Sequence, residues 1–258
     1  GEALADGLEK VYGLVPRDFF KKSLYDLEQK KYEGRDAIVR KIIYTNLTNL
    51  NLSQNGIGPL GCQGIMYCMA QSNCTITSLD LSSNPLGETS EIGGKGQNSG
   101  KDMRYAIGET QSLTDLNLSR TSFLPVDMVP LLGAVNRNRS LKRLIINNTY
   151  LDEPSCLQLA HGVSTCPSIT VLDLHNNRMG PKGGLIIVSR LDTLGKRLTF
   201  LDVSDNGIGP IASIPIGRAL IETECTLKTM YVQGNDIMDE GGRYIVKGMK
   251  ENASFELV

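Results

Sequence analysis

Seven segments of the chain lie over one another without a gap. They read LTNLNLSQNGIG, ITSLDLSSNPLG, LTDLNLSRTSFL, LKRLIINNTYLD, ITVLDLHNNRMG, LTFLDVSDNGIG and LKTMYVQGNDIM, starting at Leu47, Ile76, Leu113, Leu141, Ile169, Leu198 and Leu227. The intervals are 29, 37, 28, 28, 29 and 29 residues. A fixed period of this length marks one supersecondary unit used repeatedly, and such a unit cannot bury its own apolar face alone. Stacking against the neighbouring units is then the only way to a core.

Within each unit, positions 1, 4 and 6 are apolar and a polar turn follows. Alternation of this kind makes a short strand with one buried face. Position 9 is Asn in five units, at Asn55, Asn84, Asn177, Asn206 and Asn235, whereas Thr121 and Thr149 stand there in units three and four. An Asn side chain in the turn can bond backbone groups that a strand end leaves open, so stacked units align these residues into a ladder. The two Thr positions weaken that ladder in mid-array. The second half of each unit, as in SCLQLAHGVSTC or EGGRYIVKGMKEN, carries apolar residues at helical spacing.

These motifs resemble leucine-rich repeats of the ribonuclease-inhibitor-like subclass, from about Leu47 to Val258. The resemblance implies an α/β solenoid with a curved parallel sheet on the concave side and helices on the convex side. Residues 1–46 lack the strand motif. VPRDFFKKSLYDLEQKK places Phe20, Leu24 and Leu27 at helical spacing, and the region reads as a helical N-terminal cap. Residues 47–258 form the array of about seven units, with an insertion near 88–100 that lengthens unit two. At the far end, SFELV reads as the start of another strand. The chain begins at Gly1 without Met, which reads as a piece of a longer protein.

The insertion contains IGGKGQNSGKD, whose Gly100-Lys101 pair has the vocabulary of a phosphate-binding loop. That motif requires a glycine five residues before the Gly-Lys pair and a hydroxyl after it. Lys95 and Asp102 occupy those positions, so the stretch reads as a mobile rim loop and no cofactor is expected. The six cysteines match no zinc spacing, and unpaired buried thiols in a reducing compartment are expected with no metal. His161 follows Cys156 by five residues, which puts them on different helix faces and disfavours a nucleophile-base pair. The acidic pairs Asp152-Glu153 and Asp239-Glu240 sit where helices start and complement the helix dipole.

Formal net charge is −1, which calls for neither nucleic acid nor an anionic membrane. The longest aliphatic run, Leu185 to Val188, is far short of a membrane span. Seven N-x-[ST] sequons occur, several inside repeat strands where glycans would obstruct the sheet. They read as incidental, and the protein as cytoplasmic.

Strand positions 3, 5 and 7 point away from the core, onto the concave face. Units one to three place small polar residues there. Units four to seven add Ile145, Val171, Phe200 and Tyr231, with His175 and the carboxylates Asp173 and Asp202 beside them. A cluster of exposed apolar and aromatic residues with a polar rim is the signature of a contact site. The expected function is a non-enzymatic interaction or scaffold module that binds a protein partner through Ile145, Val171, Asp173, His175, Phe200, Asp202 and Tyr231. The resemblance also implies two alternatives. One is a GTPase-activating protein working through edge loops, where Arg120 and Arg178 are available. The other is a sensor or autoinhibitory array of a larger receptor.

Overall fold

The computed structural model describes residues 47–70, 74–87, 99–222 and 224–251. The expected N-terminal cap, nearly all of the 88–100 insertion and the SFELV segment lie outside them. Among the described residues each repeat contributes one strand, and each strand is three residues long. They are β1 (Asn49–Asn51), β2 (Ser78–Asp80), β3 (Asp115–Asn117), β4 (Arg143–Ile145), β5 (Val171–Asp173), β6 (Phe200–Asp202) and β7 (Thr229–Tyr231). They form one parallel sheet in the order β1-β2-β3-β4-β5-β6-β7. Pairing joins equivalent positions throughout, for example Leu116 with Leu144 and Leu172 with Leu201.

The helices are α1 (Pro59–Met69), α2 (Ser99–Glu109), α3 (Pro125–Val135), α4 (Glu153–Thr165), α5 (Gly180–Val188), the short α6 (Leu191–Leu194), α7 (Ser213–Ile221) and α8 (Met238–Glu251). Packed helices need 8–10 Å between axes, whereas strands sit about 4.8 Å apart. A stack that pairs one helix with each strand therefore bends toward the sheet, which leaves the sheet on the inside of the curve. No helix among the described residues is long and apolar enough to cross a membrane.

The core lies between the two layers and is built by positions 1, 4 and 6. Leu79, Leu116, Leu144, Leu172 and Leu201 at position 4 are buried, as are Leu81, Leu118, Ile146, Leu174 and Val203 at position 6. The equivalent residues of the two end strands, Leu50, Leu52, Met230 and Val232, are only partly buried, and among the described residues each has a neighbouring unit on one side alone.

The position-9 ladder forms as expected, and its bonds are specific. Asn206 Nδ2 donates to the carbonyls of Leu174, Val203 and Ser204, so one amide closes its own strand end and ties it to the preceding unit. Its backbone N–H donates in turn to Asn235 Oδ1 at 3.0 Å. The same step joins Asn177 to Asn206, Thr149 to Asn177 and Asn55 to Asn84. At the two threonines the ladder thins. Thr121 Oγ1 donates to the Leu118 carbonyl, inside its own unit. Thr149 Oγ1 donates to Asn177 Oδ1 instead of to a carbonyl. A hydroxyl has one proton to offer, where the amide has two.

The turn itself is left-handed. Position 8 has positive φ in all seven units, at Gln54, Ser83, Arg120, Asn148, Asn176, Asp205 and Gly234. For a residue with a Cβ this conformation costs roughly 1 kcal/mol, which the flanking inter-unit bonds offset.

On the helical side, small residues set the spacing. Gly217 of α7 and Gly248 of α8 are in backbone contact, since a Cβ at Gly248 would lie 2.2 Å from the Gly217 carbonyl oxygen. A Cβ at Gly217 would lie 2.4 Å from the Tyr244 carbonyl oxygen. Gly100 behaves alike. It falls inside α2, against the Asp127 backbone, whereas the sequence places it in the inserted loop. The glycine that looked like loop flexibility is a helix-packing contact.

Four substitutions test the ladder and the helix packing. Asn177→Ala leaves buried donors and acceptors without partners and should lower stability by about 3–5 kcal/mol, read as a shift in urea midpoint. Asn55→Ala, at the exposed end of the ladder, should cost about 1 kcal/mol or less. Gly217→Ala should force α7 and α8 apart and lower the melting temperature. Gly242→Ala, with open space around its Cβ position, should raise stability by roughly 0.5–1 kcal/mol.

Candidate interaction surface

The strand positions that face away from the helices form three rows across the sheet. Row 3 runs Arg143, Val171, Phe200, Thr229 over its last four strands, and row 5 runs Ile145, Asp173, Asp202, Tyr231. Row 7 runs Asn147, His175, Ser204, Gln233 one step further along. Phe200 and Tyr231 touch, with ring centroids 5.7 Å apart and planes at 65°, an edge-to-face contact. Tyr231 is 44% exposed, while Ile145, Val171 and Phe200 are half-buried. The residues singled out in the sequence thus come together on one face.

The row-5 carboxylates have a second duty that the sequence reading missed. Asp173 Oδ1 accepts the His175 N–H at 3.1 Å, and Asp202 Oδ1 accepts the Ser204 N–H at 2.9 Å. Asn51, Asp80 and Asn117 make the same bond to Ser53, Ser82 and Ser119. These are Asx turns that close the strand end, and either Asp or Asn serves. The signal was present as a recurring Asp or Asn two residues before a Ser or His. Units four and seven break the pattern by placing Ile145 and Tyr231 in row 5. Each gives up a strand-end bond to put an apolar side chain on the open face.

His175 is held as well. Its Nδ1 lies 2.9 Å from Ser204 Oγ and 3.4 Å from Asp205 Oδ2. Ser204 is fully buried and comes one repeat later, which is the spacing that could have announced the pair. Asp205 lies over the backbone of Gly234, where a Cβ would come 1.9 Å from its Oδ1. A side chain at Gly234 would displace the carboxylate, so glycine at that turn keeps Asp205 beside His175.

None of the six cysteines is in a disulfide. Burial pushes the Cys68 thiol up to about 11 and the Cys156 thiol up to about 12, which keeps both protonated at neutral pH. Cys156 is buried while His161 is exposed, so the two are not paired. Asp152 caps α4 by accepting the Ser155 N–H, and Glu153 lies in the first turn, as Asp239 and Glu240 do in α8. Arg120 and Arg178 are exposed in the left-handed turns at the rim.

Similarity to known proteins follows the repeat. A family profile described as "Leucine Rich repeat" matches residues 45–66, 72–89, 165–187, 198–211 and 223–246. The unmatched stretch contains units three and four, the two with Thr at position 9, and the structure keeps both in register. NACHT, LRR and PYD domains-containing protein 3 from Bos taurus is 26% identical over 205 residues, covering 79% of this chain and 19% of the relative. Ribonuclease inhibitor from Mus musculus is 26% identical over 155 residues, 59% of this chain and 34% of the relative. A protein phosphatase 1 regulatory subunit 37 homolog from Caenorhabditis briggsae is 27% identical over 164 residues, covering 60% of this chain and 17% of the relative. The chain thus spans about a fifth of the length of the NACHT relative it matches. Period, register, turn ladder and profile agree, and the chain is a leucine-rich repeat protein of the ribonuclease-inhibitor-like subclass.

Proposed function

We propose that this array is a non-enzymatic recognition module that binds a protein partner on its concave face, in the cytoplasm. The observation that carries the reading is the substitution of Ile145 and Tyr231 into row 5. Five units use that position for a strand-end hydrogen bond, and these two forgo it for an apolar side chain on an open surface. Exposing such groups is unfavourable in isolation and favourable once a partner covers them. Val171 and Phe200 extend the apolar surface on row 3, and Asp173 and Asp202, between Ile145 and Tyr231 on row 5, supply its polar groups with His175 beside them. The sheet is preformed by its neighbours, so binding orders little of it and more of the contact energy appears as affinity.

Two relatives have names that denote action on another protein, ribonuclease inhibitor and a regulatory subunit of protein phosphatase 1. Carried to this chain, they support a binding role without naming its partner. The match to a fifth of a NACHT-containing relative supports a second reading, that this array is the recognition segment of a larger protein.

The test is direct. A partner is identified by crosslinking and pull-down with the full chain, and its affinity is measured by calorimetry. Phe200→Ala and Tyr231→Ala should each weaken binding by roughly tenfold or more, as central aromatic anchors do. Undiminished affinity in both variants discards the concave site.

A further inference from the structure

We infer that the C-terminal half of the concave sheet takes one cationic side chain, Lys or Arg, carried by an apolar segment of the protein partner. The inference rests on the docking face proposed above and names its chemistry. Asp173 and Asp202 are Cα partners on adjacent strands, and Asp205 follows on the turn. Like charges placed opposite one another across a strand pair repel. No Lys or Arg occurs at positions 3 to 8 of units five, six and seven, so these units supply no fixed cation of their own on that face. His175 is the one basic group there, and its Nδ1 is engaged by Ser204 Oγ and Asp205 Oδ2.

Hydrogen bonds do not remove the excess charge. Both Asp173 oxygens accept bonds, from the His175 N–H and from Asn147 Nδ2, and Asp202 Oδ1 accepts from Ser204. All of these donors are neutral: a backbone N–H of His175, the Asn147 amide and Ser204. Neither Asp173 nor Asp202 has an ion-pair partner among the described residues. By the same count, units three and four carry Arg120 and Arg143 at these positions. An acidic partner is therefore steered away from units five to seven, and a cationic one toward them.

The aromatic pair supplies the rest of the recognition. Tyr231 is the Cα partner of Asp202, and Phe200 lies two residues before Asp202 on the same face. A Lys or Arg stem can lie along these rings while its head reaches the carboxylates. An apolar residue beside that cation would cover Val171 or Ile145.

The carboxylates can be neutralised without altering the turn, since Asn51 and Asn117 make the same strand-end bond in units one and three. Asp80 offers a matched control. It accepts from the Ser82 N–H and from Asn117 Nδ2, as Asp173 accepts from His175 and Asn147, but it lies outside the patch. The full chain is panned against a phage-displayed random dodecapeptide library, with counter-selection on the Phe200→Ala/Tyr231→Ala variant. The retained peptides are synthesised, and their affinities are measured by fluorescence anisotropy. The expected result is Lys or Arg flanked by apolar residues. Asp202→Asn and Asp173→Asn should each weaken binding by roughly tenfold, Asp80→Asn by less than about twofold, and added salt should weaken the wild type more than Asp202→Asn. Peptides that depend on Phe200 but lack a cation, or that bind Asp202→Asn undiminished, overturn the inference and leave the docking face standing. A selection with no peptide dependent on Phe200 and Tyr231 overturns both.

Discussion

Units one, four, five and six of this solenoid are each closed by a group that the next unit supplies. The position-9 amide satisfies carbonyls of its own strand end and of the unit before, while its oxygen takes the N–H of that preceding unit. A three-residue strand has too few ladder bonds to set its own register. The buried amide sets it, because a slip by one residue would leave several polar groups unpaired in the core. The rest of the fold follows from that constraint. Position 4 stacks on position 4, positions 3, 5 and 7 become rows, and the helices are drawn in until glycines such as Gly217 and Gly248 bring backbones into contact.

The rows make the surface readable as two overlapping requirements. Row 5 has to close the strand end, and Asp or Asn does so. Row 5 is also the centre of the open face, where side-chain choice decides what can bind. Where both requirements are met by Asp173 and Asp202, the turn is closed and a charge is left outward. Where Ile145 and Tyr231 stand, the turn is given up for contact area. The polar and apolar parts of the patch are thus alternative uses of one structural position.

Much of this was legible from spacing alone. The period placed the strands, the buried positions and the parallel order, because a repeat that cannot bury itself has few ways to stack. The candidate residues fell on one face for the same reason, since alternation along a strand is enough to sort sides. What could not be read were relations that depend on atoms of the next unit. The bond from His175 to Ser204 joins residues 29 apart, and the carboxylate of Asp205 depends on a missing side chain at Gly234. The start of α2 could not be read either, since Gly100 sits in a glycine-rich stretch, where composition argues for a loop. Its place in a helix depends on the backbone of Asp127, which no local pattern announces.

The threonines at positions 121 and 149 have a consequence for how the array breathes. Four units, from Thr149 to Asn235, are linked by an unbroken series of side-chain acceptors, and Asn55 is linked to Asn84. Unit three stands between these two runs, with its Thr121 hydroxyl turned inward to Leu118. In a one-dimensional stack, opening free energy is set by nearest-neighbour joints. The joints on either side of unit three are the ones without the position-9 amide link, and there the helical layer carries part of the joint instead, with Asn138 Nδ2 donating to the Ile107 and Thr110 carbonyls of unit two. Amide hydrogen exchange would divide along that line, slow at Asn177 and Asn206 and faster at Asn84 and Thr121. The concave patch then sits wholly on the run of four units whose position-9 links are unbroken.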